Sequence, residues 1–279
     1  MEKKMMISES PRTSRRIKKR KLANVCVESY KERKSREERV SPLVEKYWFQ
    51  RYHLFSRYDE GIKMDEEGWY SVTPEEIAIR HAQRSGNGIV IDCFAGVGGN
   101  AIQFARMCYS VVAIDIDPQK IEFAINNAKI YGVEDYIDFI VGDFFKLAPS
   151  LKGDMVFLAP PWGGPSYKSI EKFTLDSLEP RDGSSVLEGE AKVWFHLLAA
   201  VYLHDQKKGK KTAFLFTIFQ VAQAITTNII MFLPRNVDLQ QVEELSWLSS
   251  PPLEVEIEEN YVLHNVKGVT AYFSGAACG

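Results

Sequence analysis

The sequence predicts an α/β fold in which a mainly parallel, doubly wound sheet has helices on both faces and an antiparallel edge. Strand-like and helical patterns alternate from residue 89 onward, which is typical of parallel strand–helix–strand units. A glycine-rich turn joins the first strand to its helix. Two strand patterns lie close together near the end of the chain, which indicates an antiparallel pair.

The elements are predicted from apolar runs that proline, glycine and polar residues interrupt. Strands are predicted at IVIDCF (Ile89–Phe94), VVAIDI (Val111–Ile116), YIDFIVGDF (Tyr136–Phe144), DMVFL (Asp154–Leu158), NIIMFLPRN (Asn228–Asn236), LEVEIEENYV (Leu253–Val262) and VKGVTAYF (Val266–Phe273). Helices are predicted at NAIQFARM (Asn100–Met107) and at PQKIEFAINNAKIYG (Pro118–Gly132), which has proline at its start and glycine at its end. We therefore expect seven strands in a core that spans residues 85–279.

A small helical lobe is predicted at residues 41–84, before the core. Ser41 and Pro42 can begin a helix within SPLVEKYWFQRYHLFSRYDEG (Ser41–Gly61). A second helix is predicted over Ser71–Arg84, with Thr73 as its N-cap and a proline in its first turn.

A basic arm, predicted to be disordered, occupies residues 1–40. The formal net charge of the chain is −2, but residues 1–39 contain 14 lysines and arginines against 6 acidic residues. The run RRIKKRK (Arg15–Lys21) is typical of a nuclear-import signal or a nucleic-acid contact. A merely solvated tail has the same composition, so that alternative stays open.

Composition narrows the class of protein. The chain of 279 residues is 45% hydrophobic and 26% charged, which is ordinary for a globular domain. It lacks an apolar run of the roughly 18 residues that a membrane span needs. Its four cysteines, Cys26, Cys93, Cys108 and Cys278, show no paired spacing. The cysteine spacing therefore predicts reduced thiols, in the cytosol or nucleus, and no metal site. The lack of a long apolar run predicts that the protein has no membrane partner. We also expect a monomer.

The glycine-rich turn DCFAGVGGNA (Asp92–Ala101) is the first candidate for a ligand site. Gly96, Gly98 and Gly99 let the backbone bend sharply and let a ligand approach it closely. The spacing also fits the dinucleotide fingerprint. By itself the turn is therefore compatible with an NAD cofactor, with another nucleotide, or with no ligand.

Carboxylates at the strand ends favour a different cofactor. Asp92, Asp115 and Asp143 follow the first three strands, so they should lie around one crevice at the carboxyl edge of the sheet. Asp115 suits a ribose diol, and Asp92 near the turn suits an ammonium group better than a pyrophosphate. S-adenosyl-L-methionine, which has an adenosine, an amino-acid tail and a sulfonium, fits this set. Asp143 is expected at the adenine, or alternatively as a helix cap, and Asp117 is expected to cap the helix that begins at Pro118.

The loop LAPPWGGPSY (Leu158–Tyr167) places an aromatic residue just beyond the fourth strand. Pro160 and Pro161 cannot extend the strand. A proline–proline–aromatic loop here is typical of methyltransferases that act on planar amines, in which the ring stacks on the acceptor and loop carbonyls orient its nitrogen. Trp162 favours a positively charged ring, because indole offers the best cation–π face.

Six stretches carry a resemblance to a known family. They are DEGIKMDEEGWYSVTPE (Asp59–Glu75), DCFAGVGGNAIQFA (Asp92–Ala105), AIDIDPQKI (Ala113–Ile121), APPWGGPSY (Ala159–Tyr167), FLPRNVD (Phe232–Asp238) and VKGVTAYF (Val266–Phe273). Together, over roughly residues 41–180 and 220–273, they resemble the trimethylguanosine synthase family. The resemblance implies a Rossmann-like class I methyltransferase fold. It also implies conversion of the 7-methylguanosine cap of small nuclear and nucleolar RNAs into the 2,2,7-trimethylguanosine cap.

The resemblance also assigns the site residues. Trp162 would stack on the 7-methylguanine, beside Ala159 and Pro160 in the catalytic loop. The residues that would hold the cap phosphates are Lys46, Tyr167 and Arg235. The residues that would hold the cofactor are Asp92, Gly96, Gly98, Asp115 and Asp143, with Phe55 and Thr73 from the lobe. Methyl transfer would be direct and in line, without a metal or a covalent intermediate.

Two departures from the family pattern bear on activity. Ala159 stands where the family usually has serine, so we expect reduced rather than absent activity. An atypical insertion is predicted at about residues 185–218, with the apolar stretch Val193–Leu203 and the basic stretch Lys207–Lys211. It is compatible with an amphipathic helix and a strand, with a partner surface, or with translated intron sequence.

The favoured prediction is thus a nuclear RNA cap guanosine-N2 methyltransferase, found in the nucleolus or Cajal body with a cytoplasmic share. Its expected partners are capped small nuclear and nucleolar RNAs and proteins of their ribonucleoprotein particles. The alternatives are another planar-amine methyltransferase, acting on adenine or glutamine, and a cap-binding protein without activity.

Overall fold

The structure is a computed structural model that describes residues 42–174 and 214–275. The predicted arm and most of the predicted insertion lie outside these residues. The chain divides into two units after Glu45, and the site described below belongs to the second unit.

The described residues contain helices and strands close to those expected. The helices are α1 (Pro42–Trp48), α2 (Arg51–Leu54), α3 (Gly68–Ser71), α4 (Glu75–Arg84), α5 (Gly99–Ala105), α6 (Pro118–Tyr131), α7 (Phe144–Leu147), α8 (Phe214–Gln223) and α9 (Leu239–Leu248). The strands are β1 (Ile89–Asp92), β2 (Ser110–Asp115), β3 (Ile137–Val141), β4 (Met155–Leu158), β5 (Ile229–Pro234), β6 (Leu253–Val262) and β7 (Asn265–Gly275).

All seven strands form one sheet in the order β3-β2-β1-β4-β5-β7-β6. Strands β1 to β5 pair in parallel, and β7 is antiparallel to both β5 and β6. This confirms the predicted seven-stranded, mainly parallel sheet with an antiparallel edge. Because β7 inserts between β5 and β6, the last strand of the described residues is internal and β6 is at the edge.

Helices cover both faces of the sheet, which β4 illustrates. The ring of Phe157 lies 5.2 Å from those of Phe104 in α5 and His81 in α4. Val156 and Leu158 point to the opposite face, where they belong to a buried cluster that includes residues of α8 and α9. Alternating burial of this kind explains why central strands read as continuous apolar runs.

The chain reverses its winding direction between β1 and β4. From β1 it runs outward through β2 to β3, whereas β4 leads in the other direction to β5. The carboxyl ends of β1 and β4 are neighbours, since Asp92 pairs with Phe157. A reversal of this kind opens a crevice at the carboxyl edge, where ligands of open α/β sheets bind.

The lobe differs from its prediction in two places. The segment predicted as helical from Ser41 is divided into α1 and α2 by a turn at Phe49 and Gln50, and Ser41 lies outside the described residues. The predicted cap Thr73 is wrong: α4 begins at Glu75, and Pro74 is its N-cap residue. The cause is the extended ψ of Pro74, 138°, which keeps this residue out of the helix.

The structure describes only the last five residues of the predicted insertion, 214–218. Residues Phe214–Ile218 belong to α8, and Leu215 and Ile218 are fully buried in the main core. The helix α8 therefore provides the crossover from β4 to β5. The rest of the predicted insertion lies outside the described part of the chain.

Candidate active site

The glycine-rich turn bends as the sequence predicts. Gly96 and Gly98 have φ angles of +52° and +90°, which only glycine adopts without strain. The turn is fixed by Asp115 at the end of β2, whose carboxylate accepts hydrogen bonds from the N–H groups of Gly96 (2.8 Å) and Asp117 (3.0 Å). Apart from the two neighbours of Gly96 in the chain, no described residue has an atom within 4 Å of the point where a Gly96 Cβ would stand, so the turn leaves open space at the crevice.

The Asp92 carboxylate is the most unusual group of the site. It lies at the end of β1 and is only 1% exposed, and neither oxygen has a hydrogen-bond partner among the described residues. Burial raises the pKa of Asp92 to about 7. The Phe94 N–H lies near the carboxylate, though outside hydrogen-bonding geometry, and lowers the pKa; the Asp115 charge adds to the rise, and the Ala101 N–H opposes it weakly. A buried carboxylate without a partner is costly, and such groups cluster at functional sites.

The other acidic residues are helix caps. Asp117 accepts a hydrogen bond from the N–H of Gln119 at the start of α6, which confirms its predicted role. Asp143 accepts one from the N–H of Phe145 and caps α7, which is the alternative considered for it. Its second carboxylate oxygen lies 3.9 Å from the Lys146 ammonium, so the predicted contact with an adenine stays a prediction.

The lobe contacts both loops of the crevice. Gly68 lies against the glycine turn, with Val97 Cγ1 3.2 Å from where its Cβ would stand. On the other side, the Tyr70 ring lies 3.7 Å from the corresponding point of Gly164, beyond Trp162. The lobe segment between α2 and α4 therefore packs against both the turn after β1 and the loop after β4.

The two lobe residues predicted at the cofactor are both buried. Thr73 is 5% exposed, and its backbone lies next to Gly99, the first residue of α5. Phe55 is 1% exposed, and its ring lies 6.3 Å from that of Tyr131 in α6. Thr73 is thus beside the glycine turn, whereas the described ring contact of Phe55 is with Tyr131 on the core helix α6.

Trp162 lies beyond the end of β4 and is partly exposed. Its indole meets the Tyr167 ring edge-on at 5.3 Å and the Phe232 ring at 5.2 Å. Pro160, two residues before it, is buried, and Ala159 is half-buried. The ring is thus supported on two sides while part of its surface remains accessible.

The neighbouring Tyr167 lies close enough to Arg235 to feel its charge, and Arg235 in turn lies near Lys267. Burial raises the pKa of this phenol, and the Arg235 charge partly opposes the rise. The pKa of Lys267 is lowered by burial and then by the Arg235 charge, with Glu76 opposing. Within residues 42–174 and 214–275, neither Arg235 nor Lys267 has a salt bridge to a carboxylate. Two neighbouring cations that form no salt bridge with a described carboxylate are suited to bind an anion.

Sequence reasoning missed Lys267 and Tyr70. The antiparallel register pairs Pro234 with Gly268, so Arg235 and Lys267 follow as neighbours one step further along the strands. The signal that locates Lys267 is the register of β7 against β5, because the pattern VKGVTAYF by itself predicts only a strand. Lys46 lies in α1, but its side chain lies outside the described part, so its predicted phosphate contact is untested.

Metal and membrane features are absent from the part that the structure describes. Its histidine, cysteine and acidic side chains form no group of three or more that could hold a metal ion. Its helices include none that is long and apolar enough to cross a membrane.

The strand order, the glycine turn and the proline–proline–tryptophan loop define the class of Rossmann-like methyltransferases. Residues 87–276 match the family described as RNA cap guanine-N2 methyltransferase. The trimethylguanosine synthase of Schizosaccharomyces pombe is 35% identical over 246 residues, or 84% of this chain and 87% of that protein. The chain belongs to the RNA cap guanine-N2 methyltransferase family.

Further similarities are less extensive. The trimethylguanosine synthase of Saccharomyces cerevisiae is 33% identical over 214 residues, which are 71% of this chain and 56% of that protein. Among solved structures, the tRNA m1G37 methyltransferase of M. jannaschii is similar with a TM-score of 0.43 and 19% identity, over 71% of this chain and 48% of that chain.

Proposed function

We propose that this protein transfers methyl groups from S-adenosyl-L-methionine to the guanine N2 of 7-methylguanosine RNA caps, twice, to give 2,2,7-trimethylguanosine caps. The observation that carries the proposal is that the partly exposed indole of Trp162 packs against Tyr167, whose phenol feels the charge of Arg235. Lys267 lies near Arg235 and adds a second cation. A charged purine and its phosphates need an aromatic ring and cations close together. The names of the two yeast relatives support the same product.

The cofactor fits the residues on the β1 side of the crevice. The unpaired Asp92 carboxylate suits the ammonium group of the methionine tail, which would give this buried charge the partner it lacks. The open space at Gly96 admits a close approach to the backbone. Asp115 holds the turn through single hydrogen bonds to each oxygen, so its other lone pairs can accept hydrogen bonds from the ribose hydroxyls. When bound, S-adenosylmethionine supplies an electrophilic methyl group.

The acceptor guanine is oriented by the loop after β4. Stacking on Trp162 holds the positively charged ring through both contact area and cation–π attraction. The backbone carbonyls of Ala159 and Pro160 accept hydrogen bonds from the N2 amine and so direct its lone pair. Because this amine is a weak neutral nucleophile, holding it in line supplies a large part of the acceleration. Carbonyl dipoles also stabilise the positive charge that grows on nitrogen.

The cap phosphates are held at the far side of the indole. Arg235 is exposed at the end of β5 and can bind phosphate oxygens in a bidentate manner. Lys267 already donates a hydrogen bond to Gln50 at 3.1 Å, which fixes its ammonium group near Arg235. Burial lowers the pKa of Lys267, and repulsion by the Arg235 charge lowers it further. An anion that binds between the two cations relieves this repulsion.

Methyl transfer to defined RNA caps tests the proposal. The protein is incubated with labelled S-adenosylmethionine and RNA carrying a 7-methylguanosine cap, an unmethylated guanosine cap or no cap. We expect two methyl groups on N2 of the 7-methylated cap and background incorporation elsewhere. Transfer to the unmethylated cap at a similar rate would contradict the role of the charged ring. Binding of the 7-methylated cap without transfer would instead indicate a cap-binding protein, for which Ala159 provides the reason.

The natural substrates in this proposal are small nuclear and nucleolar RNAs, delivered by proteins of their particles. The basic run at residues 15–21 supports a nuclear location, including the nucleolus or Cajal body, with a cytoplasmic share. A fluorescent fusion that lacks residues 1–40 should lose nuclear enrichment, whereas the full chain keeps it. Equal distribution of the two fusions would refute the import role of the arm.

A further inference from the structure

The loop that carries Trp162 and Tyr167 is fastened to the segment that follows β5. Phe173 and Val237 form an isolated parallel bridge, and both side chains are buried. The N–H of Phe173 donates to the Asn236 carbonyl at 2.8 Å, and the N–H of Asp238 donates to the Phe173 carbonyl at 2.8 Å. The Lys172 ammonium adds an ion pair with the Asp238 carboxylate at 2.7 Å. The far end of the loop therefore has a defined anchor on the sheet.

The Asn236 side chain makes a second connection, closer to the site. Its Nδ2 donates to the carbonyl of Ile170 at 2.7 Å and to that of Tyr167 at 3.3 Å. The Tyr167 carbonyl also accepts the N–H of Ile170 at 3.1 Å, where the 3-10 turn Gly164–Ser169 ends. Both amide hydrogens of Asn236 thus bind the backbone next to Tyr167.

The oxygen of the Asn236 amide, in contrast, lowers the stability of the fold. Asn236 Oδ1 is buried and has no hydrogen-bond partner among residues 42–174 and 214–275. A buried acceptor without a partner destabilises a fold, so a side chain selected for stability alone would satisfy it. The two hydrogen bonds that Asn236 Nδ2 donates offset the destabilisation caused by the unpaired Oδ1.

The part of the loop next to Trp162 has little conformational restraint of its own, so the hydrogen bonds from Asn236, here called the brace, restrain it. Gly163 and Gly164 both have left-handed φ angles, +81° and +75°, and glycine pairs of this kind permit a wide range of backbone conformations. Tyr167 supports the Trp162 indole edge-on. Movement of the turn would therefore move the edge against which the indole is set.

We propose that Asn236 is a positioning residue for cap recognition, which fixes the Tyr167 turn so that Trp162 and the adjacent Arg235 face the same ligand. The inference rests on the proposed function, because the ligand it refers to is the methylated cap. Asn236 acts on the ligand only indirectly, by holding the loop, and has no direct role in methyl transfer. Since Arg235 and Asn236 are consecutive, one short segment provides both the phosphate contact and the brace of the stacking ring.

The substitution Asn236→Asp tests this role with almost no change in shape. It places a carboxylate oxygen opposite the two carbonyls, which removes both donors. We expect the Kd for 7-methylguanosine triphosphate to rise at least about tenfold, while the Kd for S-adenosylmethionine changes less than twofold. The KM for capped RNA should rise more than kcat falls. Asn236→Ala, which removes the donors without adding a charge, should show the same split in case the aspartate variant does not fold.

A matched control lies at the other end of β5. Asn228 donates through Nδ2 to the Asp154 carbonyl at 3.1 Å, and it lies at the edge of the sheet away from the crevice. Asn228→Asp repeats the same chemical change there, so it should leave both dissociation constants unchanged.

Hydrogen–deuterium exchange of the loop separates failure of the brace from failure of the proposed function. In the absence of ligand, residues 163–173 should exchange faster in Asn236→Asp than in the wild type. If the wild type binds S-adenosylmethionine but not 7-methylguanosine triphosphate, the proposed substrate is wrong, and the exchange result alone decides whether the brace exists. Unchanged exchange, unchanged cap affinity in both variants, or equal loss of both ligands would overturn the inference.

Discussion

Two buried polar groups in this protein, the His81 imidazole and the Asp92 carboxylate, have opposite surroundings. His81 is 0% exposed, and both ring nitrogens are paired: Asn100 Nδ2 donates to Nδ1 at 2.9 Å, and Nε2 lies 2.8 Å from Thr270 Oγ1. Asn260 completes the network with a 2.7 Å bond to the same hydroxyl. Asp92 is equally buried but has no partner among the described residues.

The difference separates a structural network from a candidate binding group. Because Asn100 donates to Nδ1, the hydrogen of the imidazole is on Nε2, and the ring is neutral. Burial lowers the pKa of His81 to about 3, so it stays neutral across the physiological range. A satisfied network of this kind links α4, α5 and the antiparallel strands. Asp92 is left unsatisfied at the edge where the cofactor is proposed to bind, which is where an incomplete set of partners is expected.

Trp162→Ala should have the largest effect, because it removes the stacking platform on the open side of the site. Stacking on an aromatic side chain contributes about 1–3 kcal/mol per base, so cap affinity should fall roughly 5- to 150-fold, and methyl transfer should fall at least as much. Affinity for S-adenosylmethionine should be nearly unchanged in calorimetry. The control is Trp247→Ala, since this tryptophan in α9 is 73% exposed. Loss of cofactor affinity in Trp162→Ala would show that the acceptor pocket is misplaced.

Asp92→Asn should weaken the binding of S-adenosylmethionine but increase the stability of the ligand-free protein. The raised pKa of Asp92, about 7 against 3.8 in the unfolded chain, means that the folded state holds more protons between these values. Its stability therefore falls as the pH rises through 7. The amide variant avoids this loss, so its free energy of unfolding without ligand should exceed that of the wild type at pH 8. Cofactor affinity should fall by more than about tenfold, since the partner charge of the ammonium group is gone.

The pH dependence of cofactor affinity and of the free energy of unfolding tests the proposed role of Asp92. In the wild type, cofactor affinity should weaken below pH 7 as the carboxylate binds a proton, and in the asparagine variant the affinity should be independent of pH over this range. A stability loss in the variant at pH 8 would indicate that Asp92 is a structural residue like His81.

His81→Gln should reduce stability without a selective effect on ligand binding. In the wild type the folded-state pKa of about 3 lies below the unfolded value of 6.5. The unfolded chain therefore binds more protons between these values, and stability is lost as the pH falls from 6.5 toward 3. Denaturation by urea at pH 7.5 and pH 5 should show a large loss for the variant at pH 7.5 and a smaller difference at pH 5. An equal difference at both pH values would mean that His81 is not held neutral.

Ala159→Ser should have the smallest effect. A hydroxyl at this half-buried position can accept a hydrogen bond from the guanine amine, and such a bond contributes about 0.5–1.5 kcal/mol. We expect kcat to increase roughly 2- to 10-fold with little change in cofactor affinity. An unchanged rate of methyl transfer would show that the backbone carbonyls are sufficient.

Much of the fold follows from the sequence because its signals are local. The strands β1, β2 and β4 are short apolar runs whose burial on both faces leaves a continuous pattern. Proline at the start of α6 and glycine after its end fix the bounds of that helix, as predicted. The candidate carboxylates were found in the same way, because Asp92 and Asp115 follow directly from where two strands end.

The features that sequence reasoning missed depend on contacts between distant segments. The position of Lys267 depends on the register of β7 against β5, which no local pattern specifies. The start of α4 depends on the conformation of Pro74 within the folded lobe. The run FLFTI (Phe214–Ile218) is too short for its period to distinguish a strand from a helix, and packing in the core decides it. The unpaired state of Asp92 likewise appears only when every neighbour is in place.

Asp92 and Trp162 are proposed to bind two adjacent ligands of one site. Calorimetric titration of S-adenosylmethionine and of 7-methylguanosine triphosphate into Asp92→Asn and Trp162→Ala tests this proposal most directly. We predict a crossed result, in which the first variant loses the cofactor and keeps the cap analogue, and the second loses the cap analogue and keeps the cofactor. Loss of the same ligand in both variants, or of neither, would contradict the account.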